Sequence, residues 1–315
     1  VCGMMIGAPD PPGDGIDQDC DGFDGVGHEA VHVVAEVTGA SEPPPVEPAA
    51  APPLPPAPAK PSIVLVTLDT VRADFTSAYG FEHKTTPVLE SLAARGVLFE
   101  HAYAPASDTR RAVMPLFSCV PYKDTPRTND GWPTLRAEAN TLAERLSVAG
   151  YETAFVSSFQ WYREERGFRQ GFDHFEEAFR ADHPERGVTG PEAVRLSRSI
   201  LEKTKGSSKP LFLWVHLFDA HEQYRRHEGF SFGRGDKGAY ASEIGFVDKQ
   251  VGDLLADVQA NRPGPVVTIV HGTQGEGFGE HDARGHGREL YEEMIRVQPS
   301  NPILHPTNPE RRPCS

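Results

Sequence analysis

The sequence lacks several features that would assign its class directly. No stretch approaches the roughly 20 consecutive apolar residues that a membrane-spanning helix needs. Cysteine is scarce, with four in 315 residues, which is too few for a disulfide scaffold. Basic residues are also in deficit, with 31 Lys and Arg against 45 Asp and Glu. The net charge of −14 argues against a nucleic-acid partner, because an acidic surface repels the phosphate backbone.

The start of the chain lacks a methionine and a charged-then-apolar leader. We therefore expect a fragment or a processed product, from which targeting information and any upstream membrane tether would be missing. The acidic balance fits either cation binding or simple solubility and does not decide between them.

Proline, glycine and charge divide the chain into segments. Residues 1–34 are rich in Gly and Asp. Residues 35–61 contain a Pro/Ala-rich linker that we expect to be extended, because proline fixes φ and donates no hydrogen bond. Residues 62–297 carry the hydrophobic runs of a folded domain. Residues 298–315 are rich in Pro, Asn and Arg, and we expect an irregular tail after a C-terminal truncation of the domain.

Strand and helix patterns alternate through the predicted domain. The β-branched and apolar run at 63–68 predicts a strand buried on both faces, and Thr85-Thr86-Pro87 predicts a helix start. Further predicted strands are 97–103, 152–157, 211–216 and 266–270, and further predicted helices are 140–149, 191–205 and 241–259. The alternation predicts an α/β fold with a mostly parallel sheet sandwiched by helices. Ligands of such sheets bind beyond the carboxyl ends of the strands.

An acidic loop lies near the start of the chain. Asp17, Asp19 and Asp21 occupy alternate positions before Gly22, which is how a calcium loop supplies oxygen ligands around a sharp turn. The twelfth position of a helix–loop–helix calcium site would be His28 instead of Glu, which argues against a complete site of that kind. The loop is similar to short DxDxDG repeats of extracytoplasmic bacterial proteins, which implies bound calcium and a periplasmic, cell-surface or secreted location. A solvated acidic coil is the alternative.

Several ordered segments carry a resemblance to a known family. They are Asp69 after the first strand, Thr85–Leu89, Ala93–Phe99, Phe212–Tyr224, Tyr240–Leu255, Gly275–His281 and Gly285–Gly287. Through them, residues 61–297 resemble the catalytic domain of sulfatases, in the alkaline-phosphatase superfamily. The resemblance implies that superfamily's α/β fold and hydrolysis of sulfuric or phosphoric esters. It also implies a divalent metal, zinc or calcium, as cofactor.

The resemblance assigns roles to individual residues. Asp69 matches the first metal ligand, and Thr109 matches the nucleophile, which also binds the metal in the family. Such a metal ionises the nucleophile and neutralises charge on the sulfuryl or phosphoryl oxygens. Sulfatases that oxidise Cys or Ser to formylglycine need Pro two residues later and Arg four residues later, where this chain has Arg111 and Val113. Formylglycine chemistry is therefore not expected, and the threonine resembles the phosphatase and phosphotransferase branches.

Two histidines and an arginine complete the predicted catalytic residues. His221 and His286 match family residues that contact the transferred group or a second metal, with a purely structural role as the alternative. Arg110 or Arg111 could clamp an oxyanion, or could lie on a solvated surface. Cys119 is interpreted as a buried thiol.

The metal site departs from the family pattern at two positions. The family has Ser-Asp-His before the Gly-Glu-Gly segment, whereas this chain has Gly272, Thr273 and Gln274. Thr273 and Gln274 therefore stand at degenerate metal-ligand positions. Neutral oxygens bind divalent cations weakly, because no charge offsets the dehydration of the cation. Glu276 and Glu280 are nearby carboxylates that could compensate.

Three interpretations remain open at this point. The chain could be a metal-dependent hydrolase of sulfate or phosphate esters that retains activity. It could be a catalytically inactive, sulfatase-like binding module, or a gene fragment without a selected function. Substrate, metal identity and oligomeric state are not determined by the sequence.

Overall fold

The computed structural model describes residues 60–179 and 188–297, together with the backbone of residues 299–301. The predicted calcium loop at 1–34, most of the predicted linker, and residues 302–315 lie outside these ranges. Within the described ranges, no helix is both long enough and apolar enough to cross a membrane.

Strands and helices alternate along the described chain. The strands are β1 (Ser62–Leu68), β2 (Val97–Leu98), β3 (Ala102–Tyr103), β4 (Glu152–Ser157), β5 (His174–Glu177), β6 (Leu211–Leu217), β7 (Val266–Gly272), β8 (Gly277–Phe278), β9 (Arg284–Gly285), β10 (Arg296–Val297) and β11 (Pro299–Asn301). The helices are α1 (Pro87–Ala93), α2 (Thr109–Ser118), α3 (Leu142–Val148), α4 (Gly190–Lys203), α5 (Gly235–Asn261) and α6 (Glu292–Ile295). The predicted α/β fold with a mostly parallel sheet is confirmed.

Among the described residues, the main sheet has seven strands in the order β2-β11-β7-β1-β6-β4-β5. β1 pairs in parallel with β6 and β7, and β4 pairs in parallel with β5 and β6. The strand ends are aligned, because Leu68 of β1 pairs with both Leu217 of β6 and Gly272 of β7. The residues that follow these three strands therefore meet at one edge, where ligands bind in parallel sheets.

Both faces of the sheet are buried, as the apolar run of β1 predicts. Val64 and Val66 join an aliphatic cluster with side chains of α1, α4 and α5, whereas Leu65 faces an aromatic cluster on the other side. In the aromatic cluster, Trp214 of β6 stacks on Phe117 of α2 with ring centroids 4.3 Å apart. This stacking ties the C-terminal end of α2 to the sheet.

The predicted strand at 97–103 is wrong. The structure has two short strands there, β2 and β3, with exposed Glu100 and His101 between them. β2 pairs with β11 in the main sheet, whereas β3 pairs with β10 in a separate ribbon. β2 and β3 are separate strands because they pair with different strands. The local pattern of apolar residues does not contain this pairing.

The predicted irregular tail also needs a correction at its start. Residues 299–301 form β11, which lies antiparallel between β7 and β2. Strand pairing satisfies backbone N–H and C=O groups whatever the side chains are, so a polar sequence with Pro at its first position can still pair.

Three further features differ from the prediction. The sequence did not indicate α2, which Asp108 caps and which contains Pro115, or the short strand β5. Cys119 is half-buried instead of buried, because it ends α2 in the left-handed conformation with φ of 56° at the surface of the domain.

Candidate active site

Asp69 lies directly after β1 at the ligand-binding edge of the sheet and is fully buried. Its backbone N–H donates to the carbonyl oxygen of Leu217 at 2.8 Å, which holds it beside β6. Thr70 follows with φ of 57°, in the left-handed region that β-branched residues rarely adopt. The Tyr240 hydroxyl donates to the Thr70 carbonyl oxygen at 2.6 Å and so holds this strained turn. Strain of this kind is concentrated at functional sites.

Thr109 is the first residue of α2, and the helix brings it to Asp69. The Thr109 hydroxyl lies 3.4 Å from each carboxylate oxygen of Asp69. Asp108 caps the helix by accepting the backbone N–H of Arg111 at 3.3 Å. The predicted nucleophile and the predicted first metal ligand are therefore in contact, beside the positive end of the α2 dipole.

The two degenerate positions, Thr273 and Gln274, follow β7 and also contact Asp69. The Thr273 hydroxyl donates to Asp69 Oδ1 at 2.7 Å, and Gln274 Nε2 donates to the same oxygen at 2.6 Å. Gln274 Nε2 also lies 3.0 Å from the Thr109 hydroxyl and 3.2 Å from the Thr70 hydroxyl. The structure thus brings together all four residues predicted for the metal site.

His216 is a member of this cluster that sequence reasoning missed. Its Nε2 lies 3.5 Å from Asp69 Oδ2, and its Nδ1 lies 3.0 Å from the Thr67 hydroxyl. The available signal was a histidine within the otherwise apolar strand β6. Burial by itself would raise the pKa of Asp69, but the adjacent His216 imidazole, the charge of His221 and the Thr273 hydrogen bond lower that pKa well below its ordinary value.

The predicted histidines His221 and His286 lie next to each other, with ring centroids 5.0 Å apart. His286 Nδ1 is 3.1 Å from Glu276 Oε1, and the Tyr224 hydroxyl donates to the other oxygen of that carboxylate at 2.7 Å. Glu276 is fully buried, so its charge acts on His286 with little screening by water.

The surroundings of His286 favour its protonated form. Burial opposes this state, but the hydrogen bond and charge of Glu276 and the charges of Asp69 and Asp108 raise the pKa of His286 above its ordinary value. A protonated imidazole can donate a proton to a leaving group, and His286 lies within electrostatic range of Asp69 and Asp108.

Arg110 is adjacent to Thr109 in the chain but is held by other partners. Its Nε lies 3.1 Å from Asp108 Oδ1, and its Nη1 donates to the Gly131 carbonyl oxygen at 2.5 Å. The guanidinium also lies over the Trp132 ring, 5.2 Å from the centroid. A role for Arg110 in binding an oxyanion stays a prediction.

The two carboxylates that could compensate for the lost metal ligands have other partners. Glu276 binds His286 and Tyr224. Glu280 pairs with Lys237 at 2.8 Å and with Arg72 at 3.3 Å. Compensation at the Asp69 site is therefore not supported.

The residues at the predicted metal site do not fit a divalent cation. Asp69 is the one carboxylate among the four residues predicted for this site. Gln274 directs an N–H donor at Asp69, whereas a cation requires oxygen or nitrogen acceptors as ligands. Among the described residues, no group of three or more His, Cys, Asp or Glu is placed to hold a metal.

Comparison with known proteins places this geometry in a family. The family model described as sulfatase matches residues 61–298. An arylsulfatase of Clostridium perfringens is 29% identical over 123 residues, which cover 37% of this chain and 26% of the relative. The chain therefore spans only about a quarter of the length of that relative.

Solved structures share the fold. A protein of the alkaline phosphatase superfamily from Vibrio parahaemolyticus has a TM-score of 0.56 and 18% identity, over 76% of this chain and 59% of that chain. The soluble domain of lipooligosaccharide phosphoethanolamine transferase A from Neisseria meningitidis has a TM-score of 0.62 and 17% identity, over 78% of this chain and 77% of that chain. The C-terminal periplasmic domain of EcEptC from Escherichia coli, in complex with zinc, has a TM-score of 0.58 and 15% identity, over 76% and 72%.

Proposed function

The chain belongs to the sulfatase family, and we propose that it hydrolyses sulfate or phosphate esters with Thr109 as the attacking hydroxyl. The observation that carries the proposal is the position of this hydroxyl, 3.4 Å from both oxygens of Asp69 at the carboxyl edge of the sheet. One relative is an arylsulfatase and one structural neighbour is a phosphoethanolamine transferase. These names support esters of sulfate and of phosphate as the two substrate classes to test.

The proposed reaction has two steps that both use residues of the cluster. In the first, the Thr109 oxygen bonds to phosphorus or sulfur and the ester oxygen leaves, while Asp69 accepts the hydroxyl proton and His286 protonates the leaving oxygen. In the second, water cleaves the Thr109 ester, giving a proton to His286, and Asp69 returns its proton to Thr109. For phosphate esters, a loose transition state asks little bond formation of the nucleophile, which favours a weakly basic proton acceptor such as Asp69.

Phosphate esters are the proposed better substrates. Thr109 is a secondary alcohol, so its oxidation cannot give the aldehyde of formylglycine, and Arg111 and Val113 replace the expected Pro and Arg. A sulfate ester would therefore be attacked by an ordinary hydroxyl. For a phosphate ester, the unmodified Thr109 hydroxyl is an adequate nucleophile.

A catalytically inactive binding module is the second candidate function. It is favoured by the neutral side chains of Thr273 and Gln274, since activation of the Thr109 hydroxyl then depends on Asp69 alone. Such a module would bind phosphate or sulfate at this site without turning over any ester.

Turnover of aryl phosphate and aryl sulfate by Thr109 variants tests the proposal. We expect Thr109→Ser to retain activity and Thr109→Ala to lose it, while Ser91→Ala, which removes an exposed hydroxyl from α1, leaves it unchanged. Full activity in Thr109→Ala would refute the assignment of the nucleophile. Phosphate binding without turnover in the unaltered chain would favour the binding module.

The segments outside the described residues complete the proposal. We propose that residues 1–34 bind calcium through Asp17, Asp19 and Asp21, and that residues 35–61 connect this loop to the domain. We also propose an extracytoplasmic location, which the periplasmic origin of one structural neighbour supports. A membrane tether upstream stays a prediction.

A further inference from the structure

The side-chain amide of Gln274 lies at the centre of the Asp69 cluster. Its nitrogen is 2.6 Å from Asp69 Oδ1, 3.0 Å from the Thr109 hydroxyl and 3.2 Å from the Thr70 hydroxyl. Gln274 has no exposed surface, so water does not compete for these contacts. One nitrogen therefore links the buried carboxylate to the attacking hydroxyl.

The donor orientation of this amide follows from its surroundings. Rotating the amide by half a turn would place its carbonyl oxygen against Asp69 Oδ1, bringing two acceptors into contact. In the observed orientation, the carbonyl oxygen of Gln274 is buried and has no hydrogen-bond partner in the described part of the chain. An unpaired buried oxygen is costly, so the contacts made by the nitrogen must outweigh this cost.

The same contacts provide hydrogen bonds that a buried carboxylate requires. Asp69 Oδ1 accepts hydrogen bonds from Thr273 at 2.7 Å and from Gln274 at 2.6 Å, and Oδ2 faces His216 at 3.5 Å. An incoming cation would have to displace the Gln274 donor and would gain only one charged ligand. Asp69 Oδ1 is therefore already hydrogen-bonded by donors of the protein.

We propose that the Gln274 amide takes the structural place of a metal ion, joining Asp69 to Thr109, so that this site is built and held without a divalent cation. The inference rests on the proposed function only in treating Thr109 as the group to be positioned. Its test uses stability and metal content instead of turnover, so it can fail while the proposed function holds, and the reverse.

The test compares the unaltered chain with two variants at the same position. Gln274→Glu keeps the shape but replaces the donor by a second carboxylate beside Asp69, and Gln274→Leu removes the donor without adding charge. Gln259→Glu, at an exposed position of α5, is the matched control. The melting temperature of each chain is measured at pH 8 in EDTA and then in calcium, manganese or zinc, and the metal content of the unaltered chain is measured after dialysis.

We expect the unaltered chain and the Gln259→Glu control to melt at the same temperature with and without EDTA or cation. Gln274→Glu should melt lower in EDTA by on the order of 10 °C, because like charges are buried together, and a divalent cation should restore it. Gln274→Leu should be destabilised without cation rescue. Stoichiometric zinc or manganese in the unaltered chain, which the proposed calcium loop would not account for, or a melting temperature of the domain that EDTA lowers, would overturn the inference even if Gln274→Glu does not fold. Gln274→Glu as stable in EDTA as the unaltered chain would also overturn it.

Discussion

The contact between His286 and Glu276 gives a prediction for the pH dependence of activity. His286 Nδ1 lies 3.1 Å from a fully buried carboxylate oxygen, and the charge and hydrogen bond of Glu276 raise the pKa of His286 against the effect of burial. The change Glu276→Gln removes this charge, and its side-chain oxygen can still accept the hydrogen bond from Tyr224. The variant should therefore keep its fold, and His286 should lose its proton at a lower pH than in the unaltered chain.

The size of the effect follows from the strength of the contact. A hydrogen bond to a charged group contributes about 1.5–3 kcal/mol, and 1.36 kcal/mol corresponds to tenfold in a protonation equilibrium. The ratio of protonated to neutral His286 at a fixed pH should therefore fall by roughly ten- to a hundredfold. The side chain of His286 is only 16% exposed, so water screens little of its electrostatic interaction with Glu276.

The same raised pKa has a consequence for stability. A histidine whose pKa is higher in the folded than in the unfolded state adds stability below its unfolded pKa, and loses this contribution as the pH rises through the folded value. The unaltered chain should therefore lose a component of stability as the pH rises above about 6.5. Glu276→Gln should lack this component.

Two measurements check the prediction. NMR titration, with the His286 resonance assigned through a His286→Gln variant, gives the pKa directly. The pH profile of kcat/KM should show its falling limb at lower pH in Glu276→Gln, because His286 is the proposed proton donor. Glu289→Gln, an exposed change three residues from His286, should alter neither. A pKa of His286 that is unchanged or raised in Glu276→Gln would refute the argument.

The double change Thr273→Asp with Gln274→His should create a divalent-cation site that calorimetry detects, while each single change does little, because the ligands of one metal act together; no binding by a folded double variant would contradict this. Asp248→Ala should lower the free energy of unfolding by about 1–3 kcal/mol in urea, because Asp248 accepts the first N–H groups of α1 at 2.9 and 3.1 Å. Burial raises the pKa of Asp248 from 3.8 to about 7, so its contribution should also decline as the pH rises across that interval, and a flat profile would be evidence against it. Deleting residues 1–40 should abolish calorimetric calcium binding, and unchanged binding would exclude the Asp17–Asp21 loop as its site.

The sequence by itself determined the class of fold and the location of its site. The continuous apolar run of β1 can only be buried on both faces, and its alternation with helix patterns requires parallel strands. Parallel strands end at a common edge, so Asp69 after β1 and Thr273 after β7 were predictably near each other. The family motifs then identified Thr109 as the hydroxyl to expect at that edge.

Tertiary structure alone decided what surrounds the carboxylate of Asp69. His216 belongs to the site because β6 pairs with β1 in one particular register, which a pattern of single strands does not contain. β11 forms because the open edge of β7 offers backbone partners, although its own sequence is polar. Glu276 turns to His286 instead of Asp69, and Gln274 directs its nitrogen to Asp69, because buried donors and acceptors must pair with whichever groups the fold places within reach. The sequence supplies the polar groups, but their pairing is a property of the packed interior.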